Sequence, residues 1–141
     1  MFNTQSETNQ FKDQRQRLLS VMLKLKSAID ADTQDLATAL TERFCDTLVD
    51  YLSAGHFQIF QRYVPAGHQY AAIEATTREL MQFNDRFGNG GKLDLRELAA
   101  ALEHTVWVID TRMELEDDLI RSRARPQRAG RARVEGAYAA A

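Results

Sequence analysis

The sequence predicts an all-α protein, an up-down four-helix bundle with a flexible Arg-rich C-terminal tail. Three observations lead to this prediction. Apolar residues recur at steps of three and four in four successive segments. Short breaks containing Asp, Pro or Gly separate those segments. The last stretch has no core-forming pattern. We therefore assign residues 1–121 to the bundle and residues 122–141 to a disordered basic tail. A chain of 141 residues suffices for one domain with one sizeable core.

The first helix is expected to begin near Thr8 or Asn9, either of which can cap it. Its inward positions alternate by steps of four and three, as in helices packed in bundles. These positions are Phe11, Arg15, Leu18, Met22, Leu25 and Ile29. The short segment 30–32 then forms a turn, and Asp32 or Thr33 caps the second helix.

The second helix is predicted from about Thr33 to Tyr63, and its two faces differ. At about 100° per residue, one face is a core stripe, made of Phe44, Leu48, Tyr51, Leu52, Gly55 and Ile59. Roughly opposite lie Asp46, Asp50, Ser53 and Phe57, with Phe60 near their edge. Two interpretations of this outer set remain open. Another element of the fold covers Phe57, or the aromatic and acidic side chains form a docking surface for another protein.

The third helix is predicted from about His68 to Phe87, ending at the glycine-rich segment 88–91. Its inward residues are expected to be Ile73, Thr76, Leu80, Phe83 and Phe87. Asp94 and Glu97 then have the spacing of a capping box for the fourth helix, which runs to about Arg121. Trp107 points away from the main apolar stripe of that helix. We expect the first helix to cover it, the alternative being a second exposed anchor. The run of carboxylates Glu114, Glu116, Asp117 and Asp118 is expected to form a solvated face.

Composition indicates a soluble globular protein, with 44% hydrophobic and 27% charged residues. No apolar run approaches the ~20 residues that cross a bilayer, and the N-terminus lacks signal-peptide features. We expect a cytoplasmic protein with no membrane association. Cys45 is the single cysteine, which excludes an intrachain disulfide.

The net charge of −2 hides a marked asymmetry. Six of the 18 basic residues lie from Arg121 onward, whereas Glu135 is the only one of the 20 acids there. Residues 1–120 therefore carry 12 basic and 19 acidic side chains, a balance of −7. Such a body disfavours specific nucleic-acid binding and favours basic partners. For the tail, the alternative to a solubilising role is weak, salt-sensitive attachment to nucleic acid or to an acidic surface.

The sequence contains no set of residues that supports catalysis, so we expect no enzyme activity, no cofactor and no metal. Di-iron bundles contain a Glu three residues before a His. Here the residues three before the chain's three histidines are Ser53, Pro65 and Ala101. Neither a phosphate-binding Gly-rich loop with a Lys nor a nucleophile elbow is present. His56 has two interpretations: a side chain hydrogen-bonded within the bundle, or an exposed phosphate acceptor.

Three runs of residues resemble one protein family. Phe44-Cys45, the segment from Leu48-Val49-Asp50-Tyr51-Leu52-Ser53 through Ala54-Gly55-His56-Phe57, and Ile59-Phe60 resemble the Rsd/AlgQ family of bacterial anti-sigma regulators. Ile73-Glu74-Ala75 leading to Phe83-Asn84-Asp85-Arg86 is similar to the AlgQ branch. Arg112-Met113-Glu114-Leu115-Glu116-Asp117, followed by Leu119-Ile120, is similar to the family's last helix. The resemblance spans about Arg15 to Ile120.

The resemblance implies an anti-sigma regulator that binds region four, the DNA-reading domain of the primary sigma factor of RNA polymerase. It places the family's contact residues at Asp50, Ser53 and Phe57. Helix geometry adds Asp46 and Phe60 to this expected partner-binding set. The competing hypothesis from another class is a histidine phosphotransfer bundle with His56 as the acceptor.

Overall fold

The computed structural model describes residues 4–124, with side chains from residue 9 to residue 122. These residues form four α-helices: α1 Thr4–Asp30, α2 Gln34–Ala54, α3 Gly67–Phe87 and α4 Leu95–Ala124. A π-helical segment, Gly55–Phe60, continues α2. The predicted all-α four-helix fold is confirmed. None of these helices is both long enough and apolar enough to span a membrane.

Contacts between distant residues establish the up-down order of the helices. Phe11, early in α1, stacks on Tyr51, late in α2, with ring centroids 5.8 Å apart. Arg15 pairs with Asp117, near the end of α4. Phe44 in α2 meets Phe83 in α3 edge to face at 5.4 Å. The first contact joins the early part of α1 to the end of α2, and the other two join α1 to α4 and α2 to α3, the neighbours expected in an up-down bundle.

The predicted apolar stripes form the core. All six residues of the α2 core stripe are buried, and so are the five predicted inward residues of α3. Those α3 residues are Ile73, Thr76, Leu80, Phe83 and Phe87. Burial of apolar surface supplies about 25 cal/mol per Å², so matching stripes on four helices hold the bundle together.

Several helix ends differ from the predictions, whereas the predicted cap of α4 is present. The first helix begins at Thr4, ahead of the expected caps, and Thr33 starts α2 without a side-chain capping bond. Asp94 does cap α4, accepting hydrogen bonds from the backbone N–H groups of Arg96 at 2.9 Å and residue 97 at 3.4 Å. The last helix continues to Ala124, three residues past its predicted end. The rest of the predicted tail lies outside the described residues.

Candidate partner-binding surface

Four side chains on the outer side of α2 and the π-helical segment form what we call the acidic–aromatic stripe. Its members, Asp46, Asp50, Ser53 and Phe57, are all exposed. The α2 sequence contains four acids and one base, so its outer side is negative. The opposite side of the same helix is buried in the core. The two faces therefore separate as the periodicity predicts.

Phe57 is the most exposed aromatic of this surface, with 65% of its area accessible. No element within residues 4–124 covers it, so the interpretation that Phe57 is buried by a neighbour is wrong. Its ring meets the imidazole of His56 edge to face at 4.8 Å. His56 is itself exposed, so the expectation that it is hydrogen-bonded inside the bundle is also wrong. Its role as a phosphate acceptor remains an untested prediction.

The backbone changes from α to π geometry within this surface. Residues 55–60 form i→i+5 hydrogen bonds, where the sequence predicted a continuous α-helix. π-helical turns insert one extra residue into a turn and occur often at functional sites. Phe60, the last residue of this segment, is partly buried, with the guanidinium carbon of Arg112 5.3 Å from its ring centroid.

A groove runs between this surface and α3. Its volume is about 660 Å³, which is within the range of ligand-binding clefts. Its apolar lining includes Val49, Phe57 and Phe60 on one wall and Tyr70, Ile73 and Met81 on the other. Ser53 and Arg112 also line it. We call it the α2–α3 groove. It brings Ser53, Phe57 and Phe60 to one site, whereas Asp46 and Asp50 lie outside it along the stripe.

A buried polar cluster lies beneath the groove and holds α1, α2, α3 and α4 together. Glu116 accepts hydrogen bonds from the Tyr51 hydroxyl at 2.7 Å, Arg15 Nη2 at 2.9 Å and Arg112 Nε at 3.1 Å. Arg112 Nη1 donates to Thr77 Oγ1 at 2.5 Å and to Thr76 Oγ1 at 3.2 Å. The side chains of Arg112 and Glu116 are 2% and 0% exposed.

This cluster was missed by sequence reasoning. The sequence predicts Glu116 on a solvated carboxylate face, and that prediction is wrong, since its carboxylate is fully enclosed. Asp117 also forms an ion pair with Arg15, with 2.8 Å between Oδ1 and Nη1. The available signal was the spacing of Arg112 and Glu116, which are four residues apart on a helix and therefore adjacent.

Protonation within the cluster follows from its burial. Burial raises the pKa of Glu116, while Arg112, the Tyr51 hydroxyl and Arg15 act to lower it. Burial and the neighbouring Glu116 raise the pKa of Tyr51 well above its ordinary value. Tyr51 therefore keeps its proton at neutral pH and acts as the donor. Arg15 Nε is buried without a hydrogen-bond partner, and the other bonds of the network fix the positions of the helices they join.

Trp107 of α4 is 63% exposed. The expectation that α1 covers it is wrong. Its ring stacks loosely on His104, with centroids 6.2 Å apart. Among the side chains that the structure describes, no group of three or more His, Cys, Asp or Glu residues is placed to hold a metal ion.

Comparison with known proteins identifies the family to which this bundle belongs. The family model described as "Regulator of RNA polymerase sigma(70) subunit, Rsd/AlgQ" matches residues 3–123. That match covers most of the chain, which therefore belongs to the Rsd/AlgQ family. The predicted family is confirmed.

Individual relatives agree with this assignment. The chain is 36% identical to the regulator of sigma D of Yersinia enterocolitica, over 56% of each chain. It is 34% identical to the Yersinia pseudotuberculosis protein of that name and 35% identical to that of Enterobacter sp. strain 638, in each case over 56% of this chain and 55% of the relative. The chain thus spans about half the length of the curated relatives it matches. No solved structure matches it significantly.

Proposed function

We propose that this protein is an anti-sigma regulator that binds region four of the primary sigma factor through the acidic–aromatic stripe. Family membership and the relatives named regulator of sigma D support a sigma factor as the partner. The observation that carries the proposal is the exposure of Phe57 beside Asp50 on a helix whose other face is buried. A ring this exposed buries little apolar surface, so it adds little to the stability of the bundle.

Charge supports a DNA-reading domain as the partner. Such a domain is basic, because it contacts phosphates. Asp46 and Asp50 are both exposed, so they can steer a basic surface toward the stripe and fix its orientation. Charge on its own contributes more to association rate and specificity than to affinity. Apolar anchors must therefore supply most of the binding energy.

Phe57 and the α2–α3 groove supply those anchors. The Phe57 ring is available to enter a pocket on the partner, and the groove beside it is wide enough to receive apolar side chains in return. Phe60 lines the groove, so it would contact partner side chains that enter the groove. Phe57 is the more exposed ring, so it would enter a pocket on the partner. Hot spots typically combine an aromatic anchor with a surrounding polar rim.

The mechanism requires only competition. A sigma domain held on the stripe is unavailable to promoter DNA and to core polymerase, which then remains free for alternative sigma factors. No nucleotide, metal or covalent step enters this mechanism. The negative body repels DNA, so the complex would not bind the promoter in place of the sigma factor.

Titration calorimetry with the purified region four domain tests the proposal. We expect Phe57→Ala and Asp50→Ala each to weaken binding by about 1–2 kcal/mol or more, equivalent to about 5–30-fold in Kd. Leu23→Ala and Asp85→Asn are the controls, because both residues are exposed, lie on other helices than the stripe and do not line the α2–α3 groove. These controls should bind as the wild type does.

The salt dependence of binding separates the contribution of charge from that of apolar contact. Asp50→Ala should flatten the decrease of affinity with ionic strength, since it removes a charge that salt screens. Phe57→Ala should lower affinity equally at all salt concentrations. Wild-type affinity in both variants, with circular dichroism unchanged, would eliminate this surface as the binding site.

A further inference from the structure

The outer face of α4 carries a second combination of an exposed aromatic ring and carboxylates. Glu103 precedes Trp107 by four residues, Asp110 follows it by three and Glu114 follows it by seven. Residues at these spacings share one face of a helix. All four side chains are exposed, and we call them the Trp107 face.

The carboxylates of the Trp107 face differ from the other acids of α4. Glu116 and Asp117 pair with Arg15, and Asp118 pairs with Arg121. By contrast, Glu103, Asp110 and Glu114 form no ion pair with any side chain between residues 9 and 122. The face therefore combines three unpaired negative charges with an accessible indole ring.

Arginine is the side chain that best matches this chemistry. Its guanidinium pairs with carboxylates and also stacks on aromatic faces, with Trp the preferred ring. The chain contains a segment of this composition directly after α4. Residues 125–141 hold four arginines and one glutamate, a balance of +3. These arginines are Arg125, Arg128, Arg131 and Arg133.

We propose that the arginine-rich segment 125–141 binds the Trp107 face of the same chain. Distance permits this contact. Trp107 lies 17 residues before Ala124, about 26 Å along the helix axis. The segment is itself 17 residues long and spans up to about 56 Å when extended. Several of its arginines can therefore reach the face, and tethering raises their effective concentration there to the millimolar range.

This interaction gives the Trp107 face an occupant other than the sigma factor. It also neutralises part of the negative charge of α4, a different helix from the one that carries the acidic–aromatic stripe. The inference does not depend on the proposed function, because it concerns a different helix and needs no partner protein.

Trp107 is the only tryptophan of the chain, so its fluorescence reports on this face alone. We would compare acrylamide quenching in the full-length wild type with that in the full-length R125Q/R128Q/R131Q/R133Q variant. Trp107 fluorescence of this four-arginine variant is expected to be quenched about twofold more strongly than that of the wild type. High salt should abolish the difference, since exposed ion pairs are screened. The E103Q/D110N/E114Q variant should be quenched as strongly as the four-arginine variant.

Dilution distinguishes the chain's own segment from that of a second copy. Protection of Trp107 that is constant over a hundredfold range of protein concentration supports binding within one chain. Protection that disappears on dilution would overturn the proposal in favour of contact between copies. Equal quenching in the wild type and both variants at low salt would also overturn it, because the segment would then not contact the face.

Discussion

The substitution Arg112→Met measures how much the buried polar cluster contributes to the fold. Met matches the apolar stem of Arg112 but removes the guanidinium that bonds Glu116 and the two α3 threonines, Thr76 and Thr77. Breaking a buried ion pair by removing one partner costs about 3–5 kcal/mol. Glu116 keeps its hydrogen bonds from Tyr51 and Arg15. We therefore expect a loss near the lower limit, about 3 kcal/mol.

Urea unfolding followed by far-UV circular dichroism measures this loss. For a bundle of this size the midpoint should fall by about 1–3 M, given a slope of about 1–3 kcal/mol per M. The slope itself should stay unchanged if the folded state remains intact. A loss below about 1 kcal/mol would refute the argument that an uncompensated buried charge dominates the result.

The triple variant Arg112→Met/Glu116→Leu/Tyr51→Phe supplies the control. It removes the whole charged centre and the hydroxyl that would otherwise lack an acceptor, while Arg15 keeps Asp117 as its partner. Replacing a buried ion pair by apolar groups of similar volume is often neutral. We expect the triple variant to be more stable than Arg112→Met alone. A triple variant that is less stable than the single one would show that packing, not charge, governs this site.

Two further predictions concern α2 and the π-helical segment. Gly55→Ala should stabilise the fold by about 0.5–1 kcal/mol in the same urea assay. The added methyl group would lie 3.5–3.7 Å from its nearest neighbours, which is ordinary van der Waals contact. A lower unfolding midpoint for this variant would refute the prediction. Burial raises the pKa of Cys45 from 9.0 to about 12, so its thiolate fraction at pH 8 should be about a thousandfold lower than in the unfolded chain. Iodoacetamide should therefore label native Cys45 far more slowly than urea-unfolded Cys45. Because the folded-state pKa is the higher one, this group's contribution to stability is complete below pH 9.0 and is lost as the pH rises toward 12.

Much of the fold could be predicted from the sequence, because apolar spacing directly reflects which helix face is buried. The core stripes of α2 and α3 illustrate this, as does the exposure of Asp46 and Asp50. Burial of a polar residue depends instead on whether distant side chains supply partners. The placement of Glu116 needed knowledge of Tyr51 and Arg15, which precede it by 65 and 101 residues, and periodicity contains no such information.

The exposure of Trp107 was not predicted, because it too depends on how distant parts of the chain pack. Its position on α4 indicated an outward direction, but only the arrangement of the helices decides whether α1 reaches that far. The change to π geometry at Gly55 was missed because no residue type specifies it reliably. A Cβ atom added at Gly55 would lie 3.5–3.7 Å from Phe11, Phe60 and Arg112, so distant parts of the chain surround this turn, whereas periodicity measures only local preferences.

The π-helical segment has a consequence for peptide mimicry of this surface. A synthetic peptide covering residues 46–60 and stapled into a regular α-helix would lack the wider turn at Gly55–Phe60. Its aromatic rings would then sit at a different angle to Asp46 and Asp50 than in the protein. An inhibitor copied from this sequence must reproduce the wider turn, for instance with a longer cross-link, if it is to present acid and ring together.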